Sequence, residues 1–95
     1  MSKEIPLPHR DMFIQIGIAI AVLRKIRGMS QEQLAEKADI SPSLMSIIEA
    51  PNMAHNFTLE TFFSIADALE VEPADLLTSA IFPDKVINKS KKTEK

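Results

Sequence analysis

The chain has 95 residues, 45% of them hydrophobic, with two glycines, no cysteine and a formal charge of −2. That length and apolar content suffice for one compact domain, and the lack of cysteine excludes a disulfide framework, a zinc–thiolate site and a thiol nucleophile, which fits a reducing, cytoplasmic setting. The charge is uneven: residues 12–82 hold four basic side chains against nine acidic ones, whereas from residue 83 onward five lysines accompany Asp84 and Glu94, so an acidic domain precedes a basic tail.

Residues 1–10 contain two prolines in a short polar setting and read as a flexible N-terminal arm. Asp11 is placed to cap a first helix over about residues 12–27, in which Ile16, Ile20, Leu23 and Arg27 follow the spacing of one buried face. Gly28 then ends it, as a residue free to take positive φ. The apolar run 12–23 is too short to cross a bilayer, and Arg24-Lys25-Ile26-Arg27 follows it in place of a cleavage site, so neither a membrane span nor a signal peptide is expected. A second apolar stripe, Ile14, Ile18, Val22 and Ile26, runs beside the first. Because contiguous apolar patches are unusual on monomers, something should cover it. Either a second copy of the chain does so, with Ile81, Phe82, Val86 and Ile87 completing the contact, or those C-terminal residues fold back over it.

Four further helix starts share one pattern. With Ser30, Ser41, Thr58 and Glu72 as N-caps, the preceding residues are Met29, Ile40, Phe57 and Val71, and the residues four places on are Leu34, Met45, Phe62 and Leu76. Each is the apolar pair that fixes the angle at which a chain joins a helix. Ser30 with Gln33 adds a capping box, while Pro42 and Pro73 occupy the first helical position, where no amide hydrogen is needed. The expected helices are therefore 31–38, 41–49, 58–69 and 73–78, the last with a poor cap in Glu72. Asp39 is the residue best able to make a left-handed turn between the second and third. Ala35 is small enough to let those two helices approach. Phe62, Phe63, Ala66 and Leu69 form the expected inner stripe of the fourth helix. The organisation is an arm over 1–10, an all-α domain over 11–80 and a C-terminal segment over 81–95, partly disordered or dimer-forming.

The elements Ile16-Gly17, Ile20, Leu23-Arg24, Gly28-Met29-Ser30-Gln31-Glu32, Leu34-Ala35, Ile40-Ser41, Met45-Ser46, Ile48-Glu49, Leu59 and Ile65-Ala66-Asp67-Ala68-Leu69 resemble the lambda-repressor and Cro, or Xre, type of helix-turn-helix domain. The likeness spans about residues 16–77 and is ungapped between Gly17 and Glu49. It implies a compact five-helix fold with the helix-turn-helix as helices 2 and 3, and a third helix that lies in the DNA major groove while the second crosses the backbone. Arg24 and Glu49 occupy positions that pair in relatives, which implies a partly buried ion pair tying the recognition helix to the scaffold.

Transferred residue by residue, the resemblance makes Pro42, Ser43, Leu44, Ser46 and Ile47 base-facing, with Leu44 at the edge. Gln31, Ser41 and Ala50 become phosphate contacts, the first two because a helix N-terminus favours an anion. This face departs from the usual pattern. It has no Arg, Lys, Asn or Gln to pair with guanine or adenine edges, and Ile47 or Leu44 could meet only a thymine methyl. Ala19, Ala21, Ala50 and Pro51 also replace residues common in the family, and the loop before Thr58 is about two residues longer.

No glycine-rich phosphate loop, nucleophile elbow or catalytic triad is present, and His9 and His55 have no clustered partners, so neither an enzyme, a cofactor nor a metal site is expected. The lysines of the tail could follow a phosphate backbone, although a solvated terminus is the plainer reading. Two functions remain. The first is a small DNA-binding transcriptional regulator, a repressor acting as a homodimer on double-stranded DNA. The second is a protein-interaction module of the same fold, such as an antitoxin or adaptor, with weak or no sequence-specific DNA binding.

Overall fold

A computed structural model describes Ile5 and residues 7–81. Five helices follow in order: α1 Leu7–Ile26, α2 Gln31–Ala38, α3 Pro42–Glu49, α4 Leu59–Leu69 and α5 Pro73–Ile81. Among the described residues there is no strand. The all-α fold and the helix order are those expected from the sequence.

Three of the four loops are short because single residues serve two helices at once. Gly28, Asp39 and Glu70 all sit in the left-handed region, with φ of 74°, 60° and 62°. After each, the chain reverses and two amides return to the helix just finished: Met29 N–H donates to the Arg24 carbonyl, Ile40 N–H to Ala35 and Val71 N–H to Ala66. This closes the orphaned last carbonyls. The same three apolar residues, with Phe57, precede the next helix and pack against the core. Their partners Leu34, Met45, Phe62 and Leu76 are buried. Ser30, Ser41 and Thr58 cap as expected, Ser30 in a full capping box with Gln33.

The core is drawn from every helix: Ile16 and Ile20, Leu34 and Ala35, Met45 and Ile48, Ile65 and Leu69, Leu76 and Ala80. Phe57 joins the long loop to it, edge-on to Phe13 at 5.3 Å and stacked on Phe62 at 6.3 Å. Gly17 marks a close approach. A Cβ there would fall on the carbonyl oxygen of Ile48, so α3 lies directly on the backbone of α1.

Several expectations need correction. α1 starts at Leu7, so residues 7–10 are helical rather than part of an arm, and Asp11 lies inside the helix; Pro8 falls in the first turn, where its missing N–H is harmless. α5 runs on to Ile81, past the expected end at 78, because Ala80 is buried in the core and packing outweighs local signals. Phe63 is 49% exposed. The inner stripe of α4 uses Ile65 in its place, between Phe62 and Leu69. Arg27, placed on the buried face of α1, is exposed; its Nε donates to the Leu69 carbonyl at 2.7 Å, where a cation suits the negative end of α4.

Candidate nucleic-acid interface

α3 is divided lengthwise by burial. Met45, Ile48 and Glu49 are buried, whereas Pro42, Ser43 and Ser46 are exposed and Ile47 is half-buried. Leu44, placed at the edge of the base-facing set, packs against the core. The outward face is thus Pro42, Ser43, Ser46 and Ile47, on one side of a two-turn helix.

The other side is fixed by a polar network. Arg24 Nε donates to Glu49 Oε2 at 2.8 Å and Arg24 Nη2 to Oε1 at 2.9 Å, a bidentate pair with side chains only 11% and 3% exposed. Arg24 Nη1 also donates to the Met29 carbonyl at 2.7 Å, and Gln31 Nε2 donates to Glu49 Oε1 at 2.8 Å. A nearly buried charge is tolerable only when paired and hydrogen-bonded, and this one has three donors. The network joins the end of α1, the start of α2 and the end of α3. It holds the helix-turn-helix as a unit.

Each group assigned to phosphate can be placed. The Gln31 side chain faces Glu49 and is committed there. Ser41 Oγ accepts from Leu44 N–H at 3.0 Å, so its hydroxyl works as a cap. The Ala50 amide donates to the Ile47 carbonyl at 3.2 Å, and Pro51 has no amide hydrogen. What remains toward solvent are backbone amides at the two helix starts. Ser30 takes up the Gln33 and Leu34 amides and Ser41 those of Leu44 and Met45, which leaves Gln31, Glu32 and Ser43 N–H in the first turns. The turn of the Gln31 side chain toward Glu49 was not readable from the chain, because the burial of Glu49 is a tertiary effect.

The second stripe of α1 is only partly covered. Ile14 and Ile18 are half-buried, while Val22 and Ile26 are 51% and 69% exposed. α5 packs chiefly against α1 and ends at Ile81; Phe82, Val86, Ile87 and the lysine tail lie outside the described residues. No described helix is long and apolar enough to cross a membrane. An open cleft of about 380 Å³ between the α1–α2 turn and the end of α4 is lined by Arg27, Gln33, Glu36, Lys37 and Glu70. Its charges are of both signs and it offers no convergent set of donors.

Two short helices joined by a left-handed turn, with the second presenting one free face and bolted down by its other, define a helix-turn-helix DNA-binding domain. Residues 19–79 match the Cro/C1-type HTH DNA-binding domain family, and the chain belongs to it. Three solved structures are similar. The restriction-modification controller protein C.AhdI from Aeromonas hydrophila shares 30% identity over 67% of this chain and 94% of its own, with a TM-score of 0.63. The clp gene regulator ClgR from C. glutamicum shares 27% over 81% and 92%, with a TM-score of 0.67. The wild-type restriction-modification controller protein C.Esp1396I shares 28% over 82% and 95%, also at 0.67. Among curated proteins none matches the sequence significantly.

Proposed function

We propose that the protein is a transcriptional repressor of the cytoplasm that binds double-stranded DNA as a homodimer, each α3 entering one of two major grooves about 34 Å apart on a pseudo-palindromic site. The observation that carries this is the division of α3: Pro42, Ser43, Ser46 and Ile47 are turned outward while Glu49 is locked to Arg24 and Gln31. The uncommitted amides of Gln31, Glu32 and Ser43 lie where the motif meets phosphate, and helix N-termini favour anions. Similar proteins described as controllers and a gene regulator support the regulatory role. The exposed Val22 and Ile26 support a second copy as the cover of α1.

One observation favours the other reading, a protein-interaction module such as an antitoxin or adaptor. Glu60, Asp67, Glu70, Glu72 and Asp75 are all exposed, and residues 59–81 contain no basic side chain. Such a surface repels DNA and suits a basic protein partner. Selection from a random duplex pool, with the bound fraction sequenced at two salt concentrations, separates the two. A repressor enriches a symmetric motif and loses affinity as salt rises. No enrichment and no salt-dependent retention would leave the interaction module.

A further inference from the structure

We infer that Ile47 reads the C5-methyl group of a pyrimidine, so that the site is specified by methyl groups in the major groove instead of by bidentate hydrogen bonds. The inference rests on the reading that α3 enters that groove, and it follows from what the structure removes. Among the described residues, Arg24 and Gln31 are long polar side chains that reach α3, and both hydrogen-bond Glu49 there. Ser41 Oγ accepts the cap bond from Leu44 N–H, and the Ala50 amide donates to the Ile47 carbonyl. Leu44 is half-buried and turns part of its side chain against the core. Asn52 lies past Pro51, off the helix.

On the outward face of α3, two serine hydroxyls, the Pro42 ring and Ile47 are left. A hydroxyl rotates to donate or accept, so Ser43 and Ser46 fit donor and acceptor edges alike and choose poorly between base pairs. Ile47 is aliphatic and half-exposed. The one apolar group that an ordinary base pair presents in the major groove is the thymine methyl. 5-Methylcytosine carries the same group at the same carbon, so both are occupants of one chemistry.

The test uses the full chain and duplexes enriched from two random pools, one unmodified and one with every cytosine C5-methylated, followed by anisotropy titrations. Enrichment from the unmodified pool assigns the source to thymine; enrichment from the methylated pool alone assigns it to 5-methylcytosine. Replacing thymine by uracil, or 5-methylcytosine by cytosine, one position at a time, weakens binding about fourfold per methyl at one or two positions of each half-site, the effect of exposing a buried methyl. Ile47→Ala abolishes that discrimination and Ile47→Val reduces it, with helicity checked by circular dichroism. An enriched duplex bound equally with and without its methyl groups would overturn this inference alone, and so would undiminished discrimination by folded Ile47→Ala. Failure of both pools to enrich any duplex would overturn the DNA reading as well.

Discussion

Gly17 on α1 lies against the carbonyl oxygen of Ile48 on α3, with no room for a Cβ between the two backbones. Helix propensity alone favours Gly17→Ala by about 1 kcal/mol. Contact should win, because the obstacle is backbone and cannot rotate away, and overpacking costs about 1–3 kcal/mol or more. We expect a net loss of about 2 kcal/mol in urea unfolding, together with weaker DNA binding, since the displaced element is α3. Gly28→Ala is the comparison: open space surrounds it, but φ is +74°, so the loss is about 1 kcal/mol from backbone conformation. A Gly17→Ala protein as stable as the parent would disprove the close approach.

The Arg24–Glu49 pair should be costly to break and cheap to replace. Glu49→Ala leaves a guanidinium and the Gln31 amide without their acceptor, and Arg24→Ala leaves a carboxylate that is 3% exposed. Each single change is expected to cost about 3 kcal/mol, whereas Arg24→Met with Glu49→Leu should recover most of that. Because the pair is shielded, 1 M salt should change the coupling little. A double-mutant cycle by urea unfolding measures both, and strictly additive effects would mean that the two side chains do not interact.

These two relationships differ in how far the chain itself announces them. The caps and apolar pairs of Ser30, Ser41 and Thr58 are local, set by residues within five positions, and they locate α2, α3 and α4 to within a residue. Arg24 and Glu49 stand 25 positions apart and are legible only through the family resemblance. Gly17 is visible there as a motif residue, but its reason, the carbonyl of Ile48, is tertiary. The same limit explains Arg27. Its periodicity assigns it to a buried face, yet its head reaches the end of α4 across 42 positions, and a long side chain can follow an apolar face while its charge leaves it. At the site, the outward residues of α3 follow from helical spacing. That the Gln31 side chain is engaged by Glu49 does not, because 18 positions separate the two and only the fold brings them near; the bonds of Ser41 and Ala50 are local, made to residues three positions away.

Glu70 is a residue whose replacement should stabilise the protein. It holds φ at 62°, where a side chain with Cβ costs about 1–2 kcal/mol. Its own side chain is exposed and the interactions that matter there are backbone ones, Glu70 N–H donating to Asp67 and Val71 N–H to Ala66. Glu70→Gly keeps both. Set against the entropy that glycine adds to the unfolded chain, the net gain should be about 0.5 kcal/mol, or roughly 2–4 °C in Tm. Asp39→Gly should gain less, since aspartate tolerates this conformation better. A fall in Tm for Glu70→Gly would show that its side chain contributes something that backbone geometry does not reveal.

The proposed dimer places its contact on the outer stripe of α1, and Ile26 is its most exposed member at 69%. Residues near a two-fold axis meet their own copies, so one substitution acts twice. Ile26→Glu removes apolar area worth about 1.5–3 kcal/mol per side chain if buried, and sets like charges close together. In the monomer the same change is nearly free, since the side chain already faces solvent. Light scattering after size exclusion should therefore show a dimer for the parent chain and a monomer for Ile26→Glu, with Val22→Glu behaving alike and helicity unchanged. Leu59→Glu, equally exposed but on α4, should leave the mass of the dimer intact. A parent chain that stays monomeric at high micromolar concentration would end the dimer proposal. Dissociation by Leu59→Glu alone would move the contact to α4.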